Sequence, residues 1–73
     1  MVKENNAFVI FAVEDDPAYH RMLHYMLTLD PEHEVTLFRT GKELLDNLHK
    51  KPSLITIDCS LPDYSGSELL KKI

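Results

Sequence analysis

Two groups of acids stand where apolar runs end. Glu14, Asp15 and Asp16 follow the run 7–13, and Asp58 closes the run 53–58. A buried run has little reason to end on a charge unless the charge is used. If the two runs are neighbouring strands, these acids meet in one crevice, where like charges raise one another's pKa values. A hard divalent cation relieves that repulsion. Mg²⁺ suits such a site, because it accepts one or two carboxylates and keeps water at its other positions. The same site favours an incoming phosphoryl group, with an aspartate oxygen as nucleophile. The expected product is an acyl phosphate on Asp58.

The elements that must position these acids follow from the surrounding pattern. "AFVIFAV" (7–13) is almost continuously apolar, as in a parallel strand covered on both faces. A helix is expected within 15–29, with Asp16 as its cap and Pro17 at its first position. Ala18, Met22, Leu23, Met26, Leu27 and Leu29 recur at helical spacing and predict a buried stripe. "EVTLF" (34–38) alternates, placing Val35 and Leu37 on one face of a half-covered edge strand. "TGKELLDNLHK" (40–50) opens with a capping box, Thr40 to Glu43, and carries Leu44, Leu45 and Leu48 on one side. Pro52 closes it, and "SLITID" (53–58) is a third strand. A second capping box, Ser65 to Glu68, starts a third helix. The order β-α-β-α-β-α predicts a parallel sheet with right-handed crossovers, and such sheets bind ligands at the carboxyl ends of their strands.

Bulk properties narrow the function classes. The 73 residues carry 12 acids against 8 bases, a net charge of −4. That balance argues against a nucleic-acid surface, which needs a basic stripe. One cysteine, Cys59, excludes an internal disulfide framework and suits a reducing compartment. The opening "MVKENNAF" lacks signal-peptide order, and no apolar run approaches the roughly 18–20 residues that span a bilayer. A cytoplasmic chain without membrane contact is expected. Residues 1–6 read as a disordered tail.

The pieces "VEDDP" (13–17) and "DCSLPDYSG" (58–66), with Asp15 and Asp58 standing 43 residues apart, resemble the receiver domain of bacterial two-component response regulators. The resemblance covers essentially the whole chain. It implies a flavodoxin-like α/β fold with a parallel sheet, limited here to about β-α-β-α-β and the start of a third helix. It makes Asp58 the phosphoacceptor, Asp15 a direct Mg²⁺ ligand and Glu14 an acid that holds metal-bound water. Ser60 would offer its backbone carbonyl to the metal, and Pro62, Asp63 and Gly66 would shape the loop. The phosphoryl donor would be the phosphohistidine of a sensor histidine kinase or phosphotransfer protein.

The family's full fold has five strands and five helices. The fourth-strand Ser or Thr and the fifth-strand Lys that contact the phosphoryl group have no counterpart in this sequence. Residues 1–73 therefore read as an incomplete receiver domain, a signalling module rather than an enzyme, with phosphotransfer expected to fail in the isolated segment. In the family strand order, 53–58 would be an open apolar edge, which predicts self-association. One competing reading is a receiver-like protein-interaction fragment without phosphotransfer. The other is a haloacid-dehalogenase-like phosphotransferase, which would need an acid where Ser60 stands.

Other chemistry-bearing residues have plainer readings. His20 and His24 have a zinc-compatible spacing but no third ligand, so they read as surface histidines. His33 and His49 read as solvent-facing, Lys71 and Lys72 as late-helix bases. Cys59 reads as a small buried side chain, and Met22 and Met26 as core filler.

Overall fold

The computed structural model describes residues 8–58 and 60–73. The expected tail, Ala7 of the first strand and the side chain of Cys59 lie outside the described residues. Three strands and three helices alternate: β1 (Phe8–Val13), α1 (Pro17–Leu27), β2 (His33–Phe38), α2 (Gly41–Asn47), β3 (Leu54–Ile57) and α3 (Gly66–Lys72). A single 3₁₀ turn, Leu48–Lys50, follows α2. The sheet is parallel throughout, in the order β2-β1-β3, the flavodoxin-like arrangement that the sequence predicts.

Local chemistry sets the boundaries. The Asp16 carboxylate accepts from the Ala18 amide at 2.9 Å ahead of Pro17. Thr28 ends α1, its hydroxyl donating back to the His24 carbonyl at 2.6 Å. Both capping boxes form, Thr40 with Glu43 and Ser65 with Glu68. The α-helical part is shorter than the expected 40–50: its last turn, Leu48–Lys50, is 3₁₀, and the left-handed Lys51 (φ 55°) ends it.

Register fixes which side chains share a face. Val13 pairs with Phe38 on one side and Ile57 on the other. Phe11, Val13 and Phe38 form the main core with Leu44 and Leu69, and the last two are fully buried. Phe11 and Phe38 meet edge to face, 5.1 Å between centroids, the arrangement that ring quadrupoles favour. Leu45 and Leu48 are partly buried against this cluster. Ile10 and Ala12 are buried on the opposite face, since strand side chains alternate. There α1 leans on β2.

Two expectations need correction. The apolar stripe of α1 is not buried: no residue of the helix is. Ala18 is exposed, as are Met22, Met26 and Leu29 at 48%, 56% and 66%. Only Leu23 and Leu27 are half-covered. Met22 and Met26 are therefore not core filler. The physical reason is that α1 rests over an edge strand, so the described residues cover only part of the stripe. His33 is the second case. Its side chain is only 26% exposed, because Nδ1 lies 2.8 Å from the Leu27 carbonyl and the ring packs on Phe8.

His49 and His24 are exposed and His20 half-buried. Lys72 sits 5.6 Å over the Tyr64 ring. No helix among the described residues is long and apolar enough to cross a membrane.

Candidate functional site

The two hydrogen-bond ladders of β1 each end on an acid. The Glu14 amide donates to the Phe38 carbonyl at 2.9 Å, the last rung towards β2. The Asp58 amide donates to the Val13 carbonyl at 3.1 Å, the last rung towards β3. Both acids thus emerge at the carboxyl edge of the sheet, one residue past a registered pair. Asp15 follows before Asp16 caps α1.

The result is a cluster in which carboxylate oxygens of Glu14, Asp15 and Asp58 lie within 4.8 Å of one another. Glu14 is buried at 8% exposure, Asp58 half-buried and Asp15 exposed. Two unit charges at that spacing repel by roughly 3 kcal/mol at an effective dielectric of about 20. Burial raises the pKa of the Glu14 carboxyl, and neighbouring Asp58 and Asp15 push it the same way. The hydrogen bond from the Asp16 amide to Glu14 Oε2, at 3.2 Å, opposes them. The ion pairs among the described residues lie elsewhere, Lys42 with Asp46 and His33 with Asp30. The three carboxylates are therefore close, with Glu14 and Asp58 partly desolvated, and no cation among the described residues is paired with them. All-oxygen donor sets of this kind suit a hard cation such as Mg²⁺.

An open cavity of about 700 Å³ lies over the cluster, lined by Glu14, Asp15, Asp16, Pro17, Tyr19 and Asp58. The structure brings together three of the four acids expected to converge; Asp16 reaches the cavity wall but its side chain is taken by the helix cap. Ser60 is exposed, and its amide points at Asp58 Oδ1 over 3.5 Å. The loop beyond it is closed by a bridge between Ser60 and Ser65 and by the Leu61 amide on the Tyr64 carbonyl at 3.1 Å.

Sequence reasoning missed two residues here. Tyr19 lines the cavity and had no signal beyond its place in the first turn of α1. Asp63 is expected from the sequence only to shape the loop. Its carboxylate accepts the Gly41 amide on Oδ1 and the Lys42 amide on Oδ2, both at 2.9 Å. No local pattern announces a contact 22 residues away.

Known proteins agree with this arrangement. A family model for the response regulator receiver domain matches residues 10–73. The chain is also 33% identical over 66 residues to protein-glutamate methylesterase/protein-glutamine glutaminase 1 of Syntrophus aciditrophicus (strain SB). That alignment covers 88% of this chain and 19% of the relative, so the chain spans about a fifth of that protein's length. A β2-β1-β3 parallel sheet with acids at the ends of its two inner ladders and a match running from β1 through α3 lead to one conclusion: the chain belongs to the response regulator receiver domain family.

Proposed function

We propose that this chain is the phosphoacceptor part of a two-component response regulator, with Asp58 as the residue that takes the phosphoryl group. The observation that carries the reading is the convergence of Glu14, Asp15 and Asp58 carboxylates within 4.8 Å beneath an open cavity. Asp15 and Asp58 would ligate Mg²⁺ directly, Glu14 would hold a metal-bound water, and Ser60 would add its backbone carbonyl. When bound, the ion supplies the counter-charge that these carboxylates and the phosphoryl oxygens both need.

The chain's own residues do the rest. An Asp58 oxygen forms the new O–P bond, and the P–N bond of a donor phosphohistidine breaks, its electrons returning to the imidazole. Asp58 is half-buried and lines the cavity, and its backbone bond to Val13 fixes its height at the sheet edge. The donor would be a sensor histidine kinase or a phosphotransfer protein. As a receiver module the chain signals; the esterase and glutaminase activities in the relative's name are not part of this proposal. The outer edge of β3 has no partner strand among the described residues, and Leu54 on it is 43% exposed. Such an edge supports pairing with a second copy.

The test is intact mass after exposure to acetyl phosphate and Mg²⁺, on the chain and on Asp58→Asn. A gain of about 80 Da confined to the unsubstituted chain, one phosphoryl group, would mean that these residues alone assemble a working acceptor at Asp58. No gain in either assigns an essential part to the hydroxyl and lysine without counterpart in this sequence, and favours, for these 73 residues, an interaction module without phosphotransfer.

A further inference from the structure

We infer that Asp63 is a positioning residue for the phosphoacceptor site, clasping the loop after β3 onto the start of α2 and so holding the Ser60 peptide against Asp58. The inference rests on the reading of Asp58 given above.

The clasp is complete at the level of single hydrogen bonds. The first amides of a helix have no partner within it. In α2 the Gly41 and Lys42 amides each take one oxygen of Asp63, and the Glu43 amide takes the Thr40 hydroxyl at 3.2 Å. The Leu44 amide then starts the helical ladder on the Thr40 carbonyl. An ordinary cap comes from the residue before the helix, and Thr40 already fills that place. Asp63 arrives from a different loop, so its bonds tie two parts of the chain together rather than merely ending a helix. Charge-assisted bonds of this kind are shorter and stronger than neutral ones.

A second contact locks the same junction. Tyr64 packs so closely over Gly41 that a Cβ there would lie 2.5 Å from its ring, 3.2 Å from Leu69 and 3.3 Å from Asp63. The loop from Ser60 to Ser65 is itself closed at its base, so it moves as one piece. Its tip is held by α2, and its far end caps α3 through Ser65. What remains to be set is its near end, Ser60, whose amide stands 3.5 Å from Asp58 Oδ1. That distance is at the limit of a hydrogen bond, so a small shift of the loop makes or breaks it.

The experiment uses the 73-residue chain in ¹⁵N-labelled form, as wild type, Asp63→Asn and Thr40→Ala, at a temperature where all three are folded. The asparagine presents an NH₂ to one of the two amides and opens half of the clasp. Thr40→Ala weakens the same helix start without touching the loop. The expected result is displaced Ser60 and Asp58 amide resonances in metal-free Asp63→Asn, and a Mg²⁺ Kd raised about tenfold. Thr40→Ala should lower thermal stability and leave both unchanged. Unmoved Ser60 and Asp58 resonances in Asp63→Asn, or equal movement in Thr40→Ala, overturn the clasp. A wild type whose resonances ignore Mg²⁺ overturns the metal reading alone, because the metal-free spectra still decide for or against the clasp. Should Asp63→Asn not fold, Asp63→Ser retains one acceptor and is judged in the same way.

Discussion

The Asp58 amide donates to the Val13 carbonyl at 3.1 Å, and this bond places the acid of β3 beside the acid that follows β1. It is a backbone bond, so the meeting of Asp58 with Glu14 is dictated by strand register and not by side-chain preference. A one-residue slip of β3 would turn Asp58 to the opposite face. The register thus crowds like charges into one crevice, and the effect of relieving that crowding is measurable.

Asp58→Asn removes one of three like charges from a partly desolvated cluster. In metal-free buffer it is expected to stabilise the chain by about 1 kcal/mol, a rise in Tm of about 4–8 °C for a chain of this size. Adding millimolar Mg²⁺ should stabilise the wild type and shrink the difference. Calorimetry with and without Mg²⁺ checks this, and an Asp58→Asn chain that melts lower in both buffers contradicts it.

Core and α1 substitutions should separate sharply. Leu44 and Leu69 are fully buried, and truncating either to alanine is expected to cost about 2–5 kcal/mol. Tyr25 and Met26 are 67% and 56% exposed on α1, and their alanine variants should stay within about 0.5 kcal/mol of wild type. Urea titrations of the four variants make the comparison.

Gly41→Ala sets two effects against each other. Alanine gains about 1 kcal/mol in helix propensity over glycine. Its Cβ would lie 2.5 Å from the Tyr64 ring, and overpacking of this kind costs about 1–3 kcal/mol. The clash is expected to win. A companion Tyr64→Ala substitution removes the closest contact and should make Gly41→Ala markedly less destabilising, although Leu69 and Asp63 stay 3.2 and 3.3 Å from the new Cβ. A double-mutant cycle would show this coupling, and its absence would contradict the clash.

Acid should weaken the junctions made by Asp63 and Glu68. Burial pushes the Asp63 carboxyl up, but the amides of Gly41 and Lys42, with its own and that of Tyr64, outweigh it and hold the pKa low. The Ser65 amide and hydroxyl, aided by Lys72, hold Glu68 low against slight burial. Both acids bind protons less readily folded than unfolded. Their stabilisation is therefore complete above the unfolded values, about pH 4, and is lost as pH falls through the lower folded ones. The double variant Asp63→Asn, Glu68→Gln should start less stable at pH 6 and lose less between pH 5 and 3. Parallel losses in the two chains would argue against these two groups.

Much of this was legible in the sequence because the relevant signals are local. Two capping boxes, the Asp16-Pro17 start and the apolar runs mark the elements within a few residues, and the acids at the strand ends follow from them. The burial of α1 was not legible. Periodicity reports that a helix has an apolar face, not what lies against it, and here an edge strand covers only Leu23 and Leu27. His33 is a matter of tertiary reach to Leu27 and Phe8. The Asp63 clasp spans 22 residues, and nothing near Asp63 distinguishes a loop acid that binds water from one that binds a helix.

The central place of β1 also sets an order of assembly. Of the three described strands it leaves the ribosome first, yet Phe8 pairs with His33 and Ile10 with Leu54. At about 5–20 residues per second, a ribosome takes about 1–5 s to deliver β2 after β1, and nearly as long again to deliver β3. Through that interval "FVIFAV" has no neighbour on either side, and a short, uncharged, β-rich segment in that condition pairs readily with other chains. The nascent chain before residue 38 thus carries an aggregation hazard that the folded chain does not, and whatever slows translation there prolongs it.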